Sequence, residues 1–150
     1  TYIAMTAGAF IAVMYFEKTT KGTSLTDYKG LGKKAPLTAA AMSLFLFSLA
    51  GIPPTAGFFG KFYLFKAAMD QGLTILVVAA LINSAIAAFY YLRIMVSMYM
   101  EPTTRQEPQE EIKAPTLTAA IILCAAAIPI MGIYPAPVLE AAIKAAACLF

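Results

Sequence analysis

Long apolar stretches alternate with short polar ones along this chain. "TYIAMTAGAFIAVMYF" (1–16) carries no charge before Glu17 and Lys18, a second apolar run covers 36–69, "LTILVVAALINSAIAAFYYLRIMVSMYM" covers 73–100, and a fourth covers 117–134. A hydrocarbon core of about 30 Å is crossed by about 20 apolar residues in helical form, so each run reads as a membrane span. The first resembles the later part of a span. The third offers Ala79, Ala80, Ser84, Ala85, Ala87 and Ala88 for close helix packing. The fourth contains Pro129, which predicts a kink. Pro135 and Pro137 then stop that helix, and an amphipathic interfacial helix is predicted over about 138–149, with Glu140 and Lys144 at the favourable i,i+4 spacing. The fold class is all-α: a polytopic transmembrane helix bundle.

The second run is too long for one straight crossing. From Pro36 to Met69 a continuous helix would reach about 51 Å at 1.5 Å per residue, well beyond the core thickness. The sequence interrupts it at "GIPPTAGFFG" (51–60). Pro53 and Pro54 remove two backbone donors, and Gly51, Gly57 and Gly60 allow backbone conformations that other residues resist. The break is either a turn outside the membrane joining two spans or an unwound section joining two halves of one span. Residues 57–69 make only about 20 Å of helix, too little to cross alone, which favours one span broken near 51–57.

Charge fixes the orientation more than the architecture. The segment 17–35 holds five lysines against Glu17 and Asp27, so the positive-inside rule makes it cytoplasmic. A broken span places the acidic loop, 101–114, on that same side; a hairpin would place it opposite. Asp and Glu contribute little to orientation, so its charge tolerates either arrangement.

Composition agrees with a membrane protein: 61% of residues are hydrophobic, 13% are charged, and mean hydropathy is +0.76. Soluble domains carry about 25% charged residues. The net charge of +3 lies in loops beside spans and gives no reason to expect nucleic acid. Cys124 and Cys148 sit in apolar stretches and there is no His, which argues against a disulfide framework or a metal site. No redox, hydrolytic or nucleotide site is predicted in the chain. It opens at Thr1 inside an apolar run, without an initiator Met or charged lead-in, and reads as part of a longer protein.

Lys61 is the candidate functional residue. An ammonium in an apolar span costs about 2.5–3.5 kcal/mol on insertion scales, and such groups mark function by default. Desolvation disfavours the charged amine, which turns lysine from a fixed charge into a group able to release and regain a proton. The neighbouring break could supply carbonyls and a wet path. The plainer reading is a lysine snorkelling to the headgroups. Lys66 lies about 140° round the helix from Lys61 and one turn before Asp70, so it reads as an interfacial anchor paired with that carboxylate. Arg93 falls with Tyr90, Tyr91 and Tyr99 in an aromatic belt, and Asn83 and Ser84 read as interhelical hydrogen-bond partners.

"SLFLFSLAGIPPTAGFFGKFYLF", followed by "INSAIAAFYYLRIMVSMYM", resembles the C-terminal part of the N-type antiporter-like subunits of bacterial proton-pumping NADH:quinone oxidoreductase, respiratory complex I. The resemblance runs from "DYKGLGKKAP" to "GIYPAPV". It implies an antiporter-like bundle in which 36–69 is the broken helix of the second of two inverted repeats and Lys61 relays protons near the exit. It implies a bacterial inner membrane location, with loops 17–35 and 101–114 cytoplasmic and the C-terminus opposite. The implied partners are the lipid bilayer and other membrane subunits of complex I, including neighbouring antiporter-like subunits. NADH, FMN, iron-sulfur clusters and quinone would belong to other subunits, with no cofactor in this chain. The first-repeat proton residues lie outside it. Two alternatives are a D-type subunit of a multisubunit cation/proton antiporter and a non-transporting membrane scaffold.

Overall fold

The computed structural model of the chain describes residues 2–20, 22, 24–102, 114–134, 136, 140–142 and 145. Its elements are helices: α1 (Tyr2–Thr20), α2 (Leu31–Lys34), α3 (Pro36–Ala50), α4 (Ala56–Asp70), α5 (Thr74–Met100) and α6 (Pro115–Ile133), with a 3-10 turn at Leu25–Tyr28. Of the amphipathic helix expected over 138–149 only residues 140–142 and 145 are described, all helical, while Lys144 of the Glu140–Lys144 pair, Cys148 and most of the acidic loop lie outside the described residues.

Helix α1 continues past Phe16 to Thr20. Thr19 and Thr20 donate their hydroxyls back to the Tyr15 and Phe16 carbonyls at 2.8 and 2.9 Å, adding a second donor to acceptors of the helix's own ladder. Helices α3 and α6 each begin with a proline in the first turn, where the missing N–H costs nothing. Pro129 lies inside α6.

Helix α3 is the centre of the bundle, packing on α1, α4, α5 and α6, while α1 also packs along α6. It is apolar all round, as a helix with neighbours on several faces must be. Phe16, Phe45, Met98, Ile121 and Ile128 meet in the core, one each from α1, α3, α5 and two from α6. Helices α5 and α6 are both long and apolar enough to cross a membrane. Most of α5 is uncovered by the rest of the chain, Ile75 being 88% exposed, so its apolar face turns to lipid or to other protein.

The segment 25–34 is docked under the end of α5. Gly30 donates its N–H to the Ser97 carbonyl at 3.3 Å, and the Ser97 hydroxyl donates to the Leu25 carbonyl at 3.2 Å. Lys29 and Glu101 form an ion pair at 3.0 Å, exposed enough to contribute less than about 1 kcal/mol. Leu31 and Tyr28 are buried, and Tyr28 meets Phe16 edge-on with ring centroids 5.6 Å apart. The basic segment and the start of the acidic loop therefore lie at one end of the bundle.

Burial, with the Glu17 and Asp27 carboxylates adding to it, raises the Tyr28 phenol above its ordinary pKa of 10.0. A raised folded value means the folded chain binds more protons between the two pKa values, so docking is intact below about pH 10 and weakens above it. Comparing tyrosinate absorbance of the wild type with that of Tyr28→Phe should reveal one component titrating above pH 10. A component titrating at the ordinary value would show that Tyr28 is not docked.

Candidate functional site

Helix α3 ends at Gly51, whose φ of 86° and ψ of 39° place it in the left-handed region that glycine tolerates best. The Gly51 N–H donates to the Ser48 carbonyl at 3.1 Å, and the Ile52 N–H reaches back to the Phe47 carbonyl at 3.1 Å, a Schellman closure. This satisfies the carbonyls of Phe47 and Ser48. Those of Leu49 and Ala50 remain as the exposed negative end of the helix.

Five residues, Gly51–Thr55, separate α3 from α4. Thr55 closes the turn by donating its hydroxyl to the Ile52 carbonyl at 2.7 Å. The first turn of α4 then runs beside the last turn of α3. The Gly57 N–H donates to Ser48 Oγ at 3.2 Å, and the buried Ser48 hydroxyl is itself directed at Met5 Sδ of α1. A side chain at Gly57 would strike the Ser48 carbonyl oxygen. Across α6, Gly132 leaves room in the same way for the backbone of Pro54–Ala56.

Lys61 stands four residues beyond Gly57, one turn along the same face of α4. Its half-buried side chain passes over Gly51, where a Cβ would lie 3.1 Å from Lys61 Cδ. Its Nζ donates to the Leu49 carbonyl at 3.1 Å, the Ala50 carbonyl at 3.2 Å and Ser84 Oγ of α5 at 3.3 Å. An ammonium has three N–H groups and here meets three acceptors. Each such bond to a charged group contributes about 1.5–3 kcal/mol, which offsets the cost of taking the ammonium partly out of water. The negative end of α3 adds to that attraction.

Lys66, Arg93 and Asn83 are exposed and stand outside this cluster. The ion pair expected between Lys66 and Asp70 does not form, since both side chains extend into open surroundings. Ser84 makes an interhelical hydrogen bond as expected, and its partner is Lys61. Met5, Ser48 and Gly132 hold the break in shape but were not singled out by the sequence. The spacing of Gly57 four residues before Lys61 was the available signal: a residue without a side chain one turn before a charged one marks a face pressed against backbone.

An all-helical membrane bundle in which a half-buried lysine of one helix donates to the last carbonyls of the preceding one and to a hydroxyl of the next defines the class of this chain. The family model for the transmembrane region of NADH:quinone oxidoreductases and Mrp antiporters matches residues 1–87, and the chain belongs to that family. Over 150 residues it is 49% identical to NADH-quinone oxidoreductase subunit N 1 of Solibacter usitatus, covering 99% of this chain and 31% of that protein. It is 42% identical to F(420)H(2) dehydrogenase subunit N of Methanosarcina mazei, covering 97% of this chain and 31% of that one. A chain in the structure of respiratory complex I from Thermus thermophilus with bound aureothin matches with a TM-score of 0.76 at 28% identity, covering 93% of this chain and 32% of that chain. The chain thus spans about a third of the length of these relatives, and it is a membrane-embedded, all-helical part of the fold they share.

Proposed function

We propose that α3 and α4 form one discontinuous membrane crossing and that Lys61, at its break, carries protons in a translocating subunit of NADH:quinone oxidoreductase. The observation that carries this reading is the set of three acceptors around Nζ, two of them carbonyls that the break leaves open. Lengths support the single crossing. The 13 residues between Ser84 and Ser97 on α5 rise about 20 Å, close to the whole of α3 at about 22 Å, so α3 reaches only partway along α5. Helix α4 continues from there and joins α5 through a tight turn at Gly72, whose N–H donates to the Met69 carbonyl at 2.9 Å.

In this reading the subunit lies in a bacterial inner membrane beside other membrane subunits of complex I, antiporter-like ones among them. Loops 17–35 and 101–114 face the cytoplasm and the C-terminus faces the other side. FMN, iron-sulfur clusters and quinone are held by other subunits, and energy from quinone reduction reaches this one through the protein. Similarity to subunits named for NADH and for F420H2 is consistent with a membrane module that does not choose the electron donor.

The test is ion identity and residue selectivity in sealed inverted vesicles holding the full-length protein in its complex. NADH oxidation should acidify the lumen in sodium-free buffer, and Lys66→Ala should leave that acidification near the wild-type level. Acidification that needs sodium would instead favour the cation/proton antiporter reading. A static cap on α3 would suit a scaffold, and it predicts full pumping without Lys61.

A further inference from the structure

The three acceptors around Lys61 differ in kind. The Leu49 and Ala50 carbonyls can only accept, whereas the Ser84 hydroxyl can also donate. A charged Lys61 is satisfied by all three. A neutral Lys61 has two N–H groups and one lone pair: the carbonyls serve the N–H groups, and the lone pair needs a donor. Ser84 is the sole partner of Nζ, among the described residues, that can supply one.

The Ser84 hydroxyl proton is also uncommitted. Several helical hydroxyls turn back onto their own helix: Ser43 donates to the Ala39 carbonyl at 2.9 Å, Thr118 to that of Ala114 at 3.2 Å, and Thr19 and Thr20 do likewise, while those of Ser48 and Ser97 are directed at Met5 Sδ and the Leu25 carbonyl. Back-bonding of this kind spends the proton. Ser84 makes no such bond, and Lys61 Nζ is its partner among the described residues.

We propose that Ser84 is a positioning residue that holds Lys61 Nζ in both protonation states and passes its proton on. The step is concerted. The proton on Nζ moves to Ser84 Oγ while the hydroxyl's own proton leaves for a water molecule on its far side. One N–H and one O–H bond break, two O–H bonds form, and the charge ends on the water. The hydroxyl, now carrying the former lysine proton, donates to the neutral amine. Return of a proton reverses each move. This inference rests on the proposed role of Lys61.

Ser84→Ala, Ser84→Thr and Asn83→Ala in the full-length protein test it, each with assembly verified on native gels and proton pumping read in sealed vesicles. Losing the hydroxyl should slow pumping about tenfold, the size expected when one hydrogen bond to an ionisable group is removed. Ser84→Thr keeps a hydroxyl and should restore most of the rate, and Asn83→Ala, an exposed neighbour on the same helix, should match the wild type. Equal losses in Ser84→Ala and Ser84→Thr would make the position a packing site and overturn the proposal. Wild-type pumping by Ser84→Ala, with Lys61→Ala inactive, would overturn it while leaving the role of Lys61 intact. Full pumping by Lys61→Ala would remove the reading beneath it as well.

Discussion

Lys61→Ala in the full-length protein is expected to cut proton pumping by at least tenfold, with NADH:quinone turnover falling alongside it, because a positioned acid-base group contributes on the order of 100-fold or more. The same change removes the donor that the Leu49 and Ala50 carbonyls share, a loss of about 1–3 kcal/mol if no water takes its place. Lost activity could then reflect a loosened break rather than a missing carrier. Lys61→Arg separates the two. A guanidinium keeps the positive charge and its N–H groups at the end of α3, yet it does not deprotonate in proteins. An arginine variant that assembles and fails to pump identifies proton release as the function. One that pumps normally makes Lys61 a cap, and the proposed mechanism falls.

The second large effect is expected at Gly57. A Cβ there would collide with the Ser48 carbonyl oxygen, a backbone atom that cannot swing aside. Gly57→Ala must therefore push α4 from α3, at a cost of about 1–3 kcal/mol typical of overpacking, and lengthen the Gly57 to Ser48 hydrogen bond. Lys61, one turn further along, would be carried away from its acceptors with it. Gly60→Ala provides the contrast, since nothing lies within 4 Å of the position its Cβ would take. In a helix this exchange should stabilise by up to about 1 kcal/mol. Thermal melting and the yield of assembled complex should move in opposite directions for the two variants. Equal tolerance of both would mean that α3 and α4 are not in contact at this point.

The helical class was legible because apolar runs of this length admit few alternatives, and the end of α3 was legible because Pro53 and Pro54 cannot continue it. Lys61 stood out as a charge in an apolar run. Its surroundings did not, because carbonyl acceptors have no sequence signature: the Leu49 and Ala50 oxygens matter through where the chain turns. Ser84 could be seen as polar, but its partner depended on the register between α4 and α5, fixed by the turn at Gly72. The Lys66–Asp70 pair was suggested by spacing alone, and spacing permits such pairs without requiring them. The docking of 25–34 was equally hidden. It rests on the Gly30 N–H and the Ser97 carbonyl, backbone groups that every sequence possesses.

That docking turns α5 into a lever with one end held. The Ser97 hydrogen bonds and the buried Met98 hold the end near the basic segment, while in the stretch from Thr74 to Ser84 only Val77 is buried. Ser84 lies about 20 Å from the fulcrum, so a tilt of only about 3° would displace it by about 1 Å. A hydrogen bond of 3.3 Å does not survive such a displacement. Pressure on the uncovered side of α5, from lipid or a neighbouring helix, would thus need to move that helix only slightly to part lysine from serine.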